Sequence, residues 1–355
     1  MSVLTIILAI PVVFISLHLA YIAWGLLYLR TRRPRPKQRG RPRKFAIEHI
    51  VCFKNESTFV HRKLENAYSL STMHDIHHTF VNDNSTDDTL SLLEHHAGEN
   101  TRIINNTTNY GKNGSQIRAV NASESDLLLF TDANVFLNSE AVEALVAGFD
   151  QETGGVTGNV KITTDLTHQD FSGRYWEIEK RIKEFQTLFG TVIGFDGGFY
   201  CIKRDNYYLK RENELSDFES AFLILESGKQ TRYVDDAEVV ELERRTLRNS
   251  FKSRMRASNR VFWSFGRISK YAPRLKPMVL LHFFFHKIAR YCASLSLIVA
   301  LPFAVPAMVR FAPVLLVLFF LPWVWRVLME CAALTFGGVV ALTGKEYTTW
   351  SHTKS

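Results

Sequence analysis

IHHTFVNDNSTDDTLSLLEHHA, residues 76–97, changes rhythm half-way along, and that change decides the fold. The first half, IHHTFVND, is a short run rich in β-branched and aromatic residues, the composition of a strand. The second half, TDDTLSLLEHHA, places apolar residues at helical spacing behind Thr and Asp, which favour helix starts. Between them lies a turn of Asn, Asp, Ser and Thr, whose side chains hydrogen-bond nearby backbone. Strand, polar turn and helix make one βα unit. Such a turn is either a plain connection or a place where carboxylates hold a ligand.

The unit recurs on both sides. FAIEHIVCF (45–53) reads as a buried strand, and FVHRKLENAYSLS (59–71) is apolar at helical spacing. TRIINNT (101–107) is a short strand, GSQIRAVNASES (114–125) a helix, and DLLLFTDAN (126–134) a strand ending in polar residues. The alternation predicts an α/β domain with a mostly parallel central sheet. Ligands of such sheets sit beyond the carboxyl ends of the strands. KNES, NDNSTDDT and TDAN all fall at such ends, so their convergence predicts a pocket. There is no GxGxxG after the first strand and no GxxxxGK[ST] anywhere, which excludes the glycine-loop phosphate cradles. A nucleotide site without such a loop neutralises phosphate with a divalent cation held by carboxylates. TDAN offers Asp132 as an anionic ligand and Asn134 as a neutral carbonyl oxygen.

The flanks are apolar. Residues 3–29 contain no Lys, Arg, Asp or Glu, enough to cross a hydrocarbon core of about 30 Å. With no basic segment before it and a run longer than a signal peptide's, it reads as an uncleaved anchor. RTRRPRPKQRGRPRK (30–44) holds nine basic residues and no acidic one, more than the whole formal excess of +8. Beside a span, such a run marks the cytoplasmic side and attracts anionic lipid headgroups, which accounts for it without nucleic acid. Residues 288–309 and 312–335 form two further spans, the second with Arg326 and Glu330 on one face. Residues 336–343 are either part of the last span or a fourth, short element. The four cysteines are far apart, which excludes a disulfide framework or zinc site and fits a reducing cytoplasm. The organisation expected is an anchor (1–29), a basic linker (30–44), a cytoplasmic catalytic domain (45–275), interfacial and spanning helices (276–343) and a cytoplasmic tail (344–355). The pairs His77/His78 and His95/His96 complete no metal-ligand spacing and read as surface residues.

The ordered series CFKNES, VNDNSTDDT, NYGKNGSQ, LLFTDAN, VTGNV, GFDGGFYCIKR, LSDFE and RMRASNR resembles family 2 glycosyltransferases of the GT-A fold. The likeness is to the membrane-bound cellulose synthase, hyaluronan synthase and poly-N-acetylglucosamine synthase-like branch, over about residues 45–265. It implies that Asn55 and Glu56 form a nucleotide-contacting turn, that Asp83 contacts the base, and that Lys112 lies near the donor phosphates. It implies that Asp132, with Asn134, holds Mg²⁺ or Mn²⁺ on the donor, and that Asp217 is the catalytic base. Asp196, Gly197 and Gly198 would form the acceptor-side loop, and Arg256 and Arg260 would face the diphosphate. Two positions and one motif depart from the family pattern. Asn134 and Asn82 stand where aspartates are usual, and QxxRW is replaced by Ser253, Arg256 and Ala257, with Arg260 and Trp263 further on. Plainer readings stand beside these: Ser216 or Asp217 as a helix N-cap, GFDGGFY (194–200) as a hairpin turn or bulge, RRTLRNSFKSRMRASNRVFW (244–263) as an amphipathic surface helix, and Asp87 and Asp88 as acids complementing a helix dipole.

The function implied is inverting transfer of a sugar from a nucleotide-sugar, UDP-linked, to a polysaccharide or lipid-linked acceptor at the cytoplasmic face of the cell (inner) membrane. One carboxylate suffices as base for such a displacement. The partners implied are the donor, a glycan or lipid-linked acceptor, membrane lipids, and a second copy or a polysaccharide-assembly partner; nucleic acid is not among them. A catalytically inactive scaffold or sugar-binding subunit is the competing reading. Asn82, Asn134 and the broken arginine motif motivate it, and retention of Asp83, Asp132 and Asp217 speaks for the enzyme.

Overall fold

The alternation read from the sequence becomes an eight-stranded sheet in a computed structural model that describes residues 3–32, 43–163, 171–242, 247–311 and 322–347. The strands are β1 (Ala46–Phe53), β2 (Asp75–Asp83), β3 (Thr101–Asn106), β4 (Leu127–Asp132), β5 (Val135–Phe136), β6 (Thr153–Thr163), β7 (Phe199–Lys203) and β8 (Gln230–Leu242), in the order β3-β2-β1-β4-β7-β6-β8-β5. β3, β2, β1 and β4 are parallel, as expected. β6 and β8 are also parallel, while β7 runs antiparallel to both β4 and β6 and β5 antiparallel to β8, so the largely parallel sheet is mixed. β7 enters the sheet from the end where β4 leaves it, with Phe199 opposite Thr131 and Lys203 opposite Leu127.

The helices are α1 (Val3–Thr31), α2 (Ser57–Tyr68), α3 (Thr89–His96), α4 (Gly111–Asn121), α5 (Ser139–Ala147), α6 (Phe171–Thr187), α7 (Ser216–Glu226), α8 (Leu247–Ile268), α9 (Pro277–His282), α10 (Ala289–Phe311) and α11 (Pro322–Leu342). LLLF in β4 is apolar throughout because both faces are covered. Leu127 and Leu129 join Val142 and Leu145 of α5, while Leu128 and Phe130 join Ala119 of α4 and Ile224 of α7. Phe53 and Phe80 pack with Val60 and Leu64 of α2 and Leu93 of α3. Each such phenylalanine contributes about 1.5–3 kcal/mol by leaving water.

The chain divides into two compact units, the sheet with its flanking helices being one. The other comprises α1, the first part of α6 and α8 to α11. Among the described residues, three of its helical stretches are long and apolar enough to cross a membrane: Thr5–Thr31, Pro277–Arg310 and Val324–Leu342. Their outer surfaces carry Val12, Leu27, Val299, Phe303, Trp325 and Phe336, exposed apolar groups that hydrocarbon accommodates and water does not. The second span begins earlier than expected and the third ends later, so residues 336–342 continue α11 instead of forming a fourth element. Residues 312–321, the tail from 348 and the basic run 33–42 lie outside the described residues.

Polar contacts knit this unit together. Glu330, expected to pair along its own helix with Arg326, reaches Arg254 of α8 at 2.7 Å. Ser258 donates to the Leu334 carbonyl at 2.6 Å, and Gly337 leaves no room for a Cβ beside Met255 and Ser258. Glu179 is buried between His286 at 3.0 Å and Arg290 at 2.6 Å. The buried stripe of α8 includes Ser258, Asn259 and Ser264 beside Ile268.

Candidate functional site

β1 and β2 end side by side, with Phe53 opposite Asn82, so the first two polar clusters are one structure. Asn55 at φ 54° and Asn84 at φ 53° take the left-handed geometry that asparagine tolerates. Asn55 Oδ1 accepts from Thr86 N at 2.8 Å, and Asn55 N donates to Ser85 Oγ at 3.0 Å. Glu56 N donates to Thr89 Oγ1 at 3.0 Å. Lys54 Nζ donates to the carbonyls of Asp83, at 2.9 Å, and Asn84. Asp87 accepts from Ser57 N at 3.2 Å and Thr89 Oγ1 at 2.6 Å. Burial raises the Asp87 pKa, but the hydrogen bonds from Thr89 and Ser57 outweigh it and hold the carboxyl below its ordinary value. Asp87 thus stitches the two turns together, a task beyond a helix-dipole acid.

Asp83 has no exposed surface. Oδ1 accepts from Tyr110 N at 2.9 Å and Asn106 Nδ2 at 3.1 Å, and Oδ2 accepts from Gly111 N at 2.9 Å. The carboxylate expected to read the base instead anchors the turn that starts α4, where Gly111 sits at φ 74°. Asn82 beside it is not a weakened aspartate: its Nδ2 donates to Asn105 Oδ1 at 2.8 Å while its Oδ1 accepts from Ser85 N at 3.3 Å. An aspartate has no hydrogen for the first of these bonds.

Anchoring α4 aims Lys112. Its Nζ reaches Asp132 Oδ1 at 2.5 Å and the Gly197 carbonyl at 2.8 Å. Burial alone would lower the Lys112 pKa, but Asp132 and, more weakly, Asp217 overcome it and hold the proton more firmly than on a free lysine. Gly197 is where the acceptor-loop and base candidates meet, since a Cβ there would lie 2.8 Å from Asp217 Oδ2. Phe195 N donates to the Asp217 carbonyl at 2.9 Å, which ties the glycine turn to the start of α7. The N-cap of α7 is Leu215, and Glu219 Oε1 reaches back to Leu215 N at 2.9 Å. Capping is therefore the work of Glu219, and the N-cap reading of Asp217 does not hold. Asp196 folds over its own turn, accepting from Gly198 N at 3.3 Å, with Lys183 Nζ at 3.6 Å. Lys112, Asp132, Gly197 and Asp217 are thus brought together beyond the strand ends.

Residues 49–208 match the sequence model described as Glycosyl transferase family 2. This stretch is a family 2 glycosyltransferase domain. No curated protein matches the chain significantly. The chain superposes on the mannosyltransferase PcManGT from Pyrobaculum calidifontis, solved with GDP-Man and Mn²⁺, with a TM-score of 0.75 at 18% identity. That match covers 97% of this chain and 99% of the other, a likeness of fold. A partial match to GalNAc-T7, solved with UDP, GalNAc and Mn²⁺, has a TM-score of 0.44 at 15% identity over 57% of this chain and 44% of that one.

The residues expected to hold a cation are Asp132 and Asn134. Asn134 Nδ2 donates to the Leu242 carbonyl at 3.0 Å and Glu241 Oε1 at 3.3 Å, so its planar amide turns Oδ1 the other way. An aspartate at this position would have no hydrogen to donate to the end of β8. One carboxylate and one amide oxygen, both part-exposed, fit an ion that takes its remaining ligands from substrate phosphate and water. Among the described residues no group of three or more His, Cys, Asp or Glu side chains is placed to hold a metal by itself. Arg256 and Arg260 stand on α8, in the other unit. Sequence reasoning missed Lys54, Lys63 and Lys183. Lys63 had a signal: Val60, Lys63, Leu64 and Ala67 recur at helical spacing as the buried face of α2, with a lysine in a core position. His78, expected at the surface, is buried, and its Nδ1 meets His49 Nδ1 at 3.0 Å.

Proposed function

We propose that the domain transfers a sugar, with inversion, from a nucleotide-sugar to a glycan or lipid-linked acceptor at the cytoplasmic face of a membrane. The observation that carries this is the meeting of Lys112, Asp132 and Asp217 around Gly197. The Lys112 ammonium stands ready for the negative charge of a diphosphate, and a charge-assisted contact there strengthens as the leaving group departs. Asp217 takes the proton of the acceptor hydroxyl as that oxygen attacks the anomeric carbon from the side opposite the nucleotide. Asp132 and Asn134 would hold Mg²⁺ or Mn²⁺, which neutralises diphosphate charge when bound. Asn55 and Glu56, part-exposed on the locked double turn, line the nucleotide end, and Asp83 acts there by holding Tyr110 and Gly111 in place. Asp196, Gly197 and Gly198 line the acceptor side. The resemblance favours a UDP-sugar, while the mannosyltransferase of similar fold was solved with GDP-Man. The three apolar helices support membrane anchoring, and the basic composition of residues 30–44 favours a cytoplasmic catalytic domain.

The experiment is nucleotide release by detergent-purified protein offered UDP-, GDP- and dTDP-sugars with Mn²⁺ and added membrane lipid, with Asp217→Asn alongside. Release with one donor, lost in the variant, is the expected result. Nucleotide binding without release from any donor would assign the chain to the scaffold class instead.

A further inference from the structure

Lys63 takes no part in the chemistry above, yet it is an expensive side chain to bury. It is fully enclosed on the core face of α2. Its Nζ donates to Thr131 Oγ1 at 2.9 Å and to the Val135 carbonyl at 2.5 Å. Those two acceptors stand immediately before and after Asp132–Ala133–Asn134. Among the described residues no carboxylate pairs with Lys63. Burial drives its pKa down to about 7, with Asp132 only partly opposing the shift. Thr131 Oγ1 is held from a second side by His49 Nε2 at 2.9 Å. A buried lysine facing two neutral acceptors is a weak device for stability, because an apolar side chain of similar volume avoids the desolvation cost. Its position suits another task, spanning the two ends of the three-residue turn that carries Asp132 and Asn134.

We infer that Lys63 is a positioning residue: it clamps both ends of the Asp132–Asn134 turn and so fixes the orientation in which these two side chains meet the donor diphosphate and its cation. The inference rests on the donor-site reading above, but the clamp itself can be read without any ligand. Lys63 acts from behind the turn, on the side opposite Lys112. The front lysine binds Asp132 directly, and the rear one holds the backbone that carries it.

The test uses Lys63→Met, which keeps length and volume and removes the donor, and Thr131→Val, which removes one of the two acceptors. Amide hydrogen exchange of the full-length protein in detergent reads the clamp. Titration with UDP and GDP, each with Mn²⁺, reads its consequence. The expected result in Lys63→Met is about tenfold faster exchange at Ala133, Asn134 and Val135, exchange in β1 and β2 as in the parent, and about tenfold weaker Mn²⁺-dependent nucleotide binding, the scale found when groups supporting metal ligands are removed. Thr131→Val should show the same pattern more weakly, and it stands in if Lys63→Met does not fold. Exchange at residues 133–135 within twofold of the parent in the folded variants, or faster exchange spread evenly over the domain, overturns the inference. If the parent binds neither nucleotide, the donor-site reading fails while local exchange still decides the clamp.

Discussion

Gly197→Ala isolates the placement of the proposed base from everything else in the site. The added Cβ would lie 2.8 Å from Asp217 Oδ2 and 3.5 Å from Asp217 Cγ, where ordinary contact begins at 3.4 Å. Gly197 does not occupy the left-handed region, so alanine is allowed by its backbone and the clash is with the carboxylate. That oxygen must retreat by about 0.6 Å. A misplacement of about 1 Å at a reacting group costs on the order of a hundredfold in rate. The retreat here therefore predicts a fall in kcat of about ten- to thirtyfold, about 1.4–2 kcal/mol in the barrier. The donor KM should change little, because Lys112 contacts the Gly197 carbonyl and not its side chain. Steady-state kinetics on the parent, Gly197→Ala, Asp217→Asn and the double variant close the argument. Asp217→Asn should lose about 10²–10⁴ in kcat, and adding Gly197→Ala to it should cost almost nothing more. A kcat for Gly197→Ala within twofold of the parent, or equal losses with and without the Asp217 carboxylate, would refute the geometry.

Asn134→Asp, which restores the usual family aspartate, should destabilise the domain by about 0.5–1.5 kcal/mol, since the part-buried Leu242 carbonyl loses its hydrogen bond and a second carboxylate faces Glu241. Melting temperatures should show the loss at pH 7.5 and a partial recovery near pH 5. Asp83→Asn should lower stability by about 1–3 kcal/mol, because three donors converge on two carboxylate oxygens and an amide offers one; nucleotide affinity should fall with it. Lys63 makes stability pH-dependent. The folded form releases this proton near pH 7 whereas the unfolded chain keeps it to about 10.5, so the unfolded state binds more protons between those values. Parent stability should therefore rise relative to Lys63→Met across that window, at up to about 1.4 kcal/mol per pH unit. Denaturation at pH 6, 7.5 and 9 checks this, and a constant difference would contradict it.

The strands β1, β2 and β4 were legible because helices cover both their faces and their central positions are largely apolar, as in Ile50, Val51 and Phe53, in Phe80 and Val81, and in Leu127, Leu128, Leu129 and Phe130. The helix after β3 was placed three residues late, since nothing in NYGKNG announces that a buried Asp83 holds its first turn. β7 broke the parallel pattern for a topological reason that no local composition carries. The two asparagines at usual aspartate positions read as defects in the sequence and prove to be donors in the structure. That difference depends on partners 23 and 108 residues away. Asp217 was singled out by its motif, and only the positions of Leu215 and Glu219 show that it is not the N-cap of α7. Lys63 was visible as a lysine in an apolar stripe, and its meaning lay in the Thr131 and Val135 acceptors of another layer.

The most direct measurement of the central claim is calorimetric binding of UDP and GDP with Mn²⁺ to the detergent-purified parent, Lys112→Met, Asp132→Asn and Asp217→Asn. The account predicts that one nucleotide binds the parent and Asp217→Asn equally, and that Lys112→Met and Asp132→Asn each weaken it at least about tenfold, as loss of a charge-assisted contact should. Equal affinity in all four proteins would place the nucleotide elsewhere and contradict the donor site built on Lys112 and Asp132.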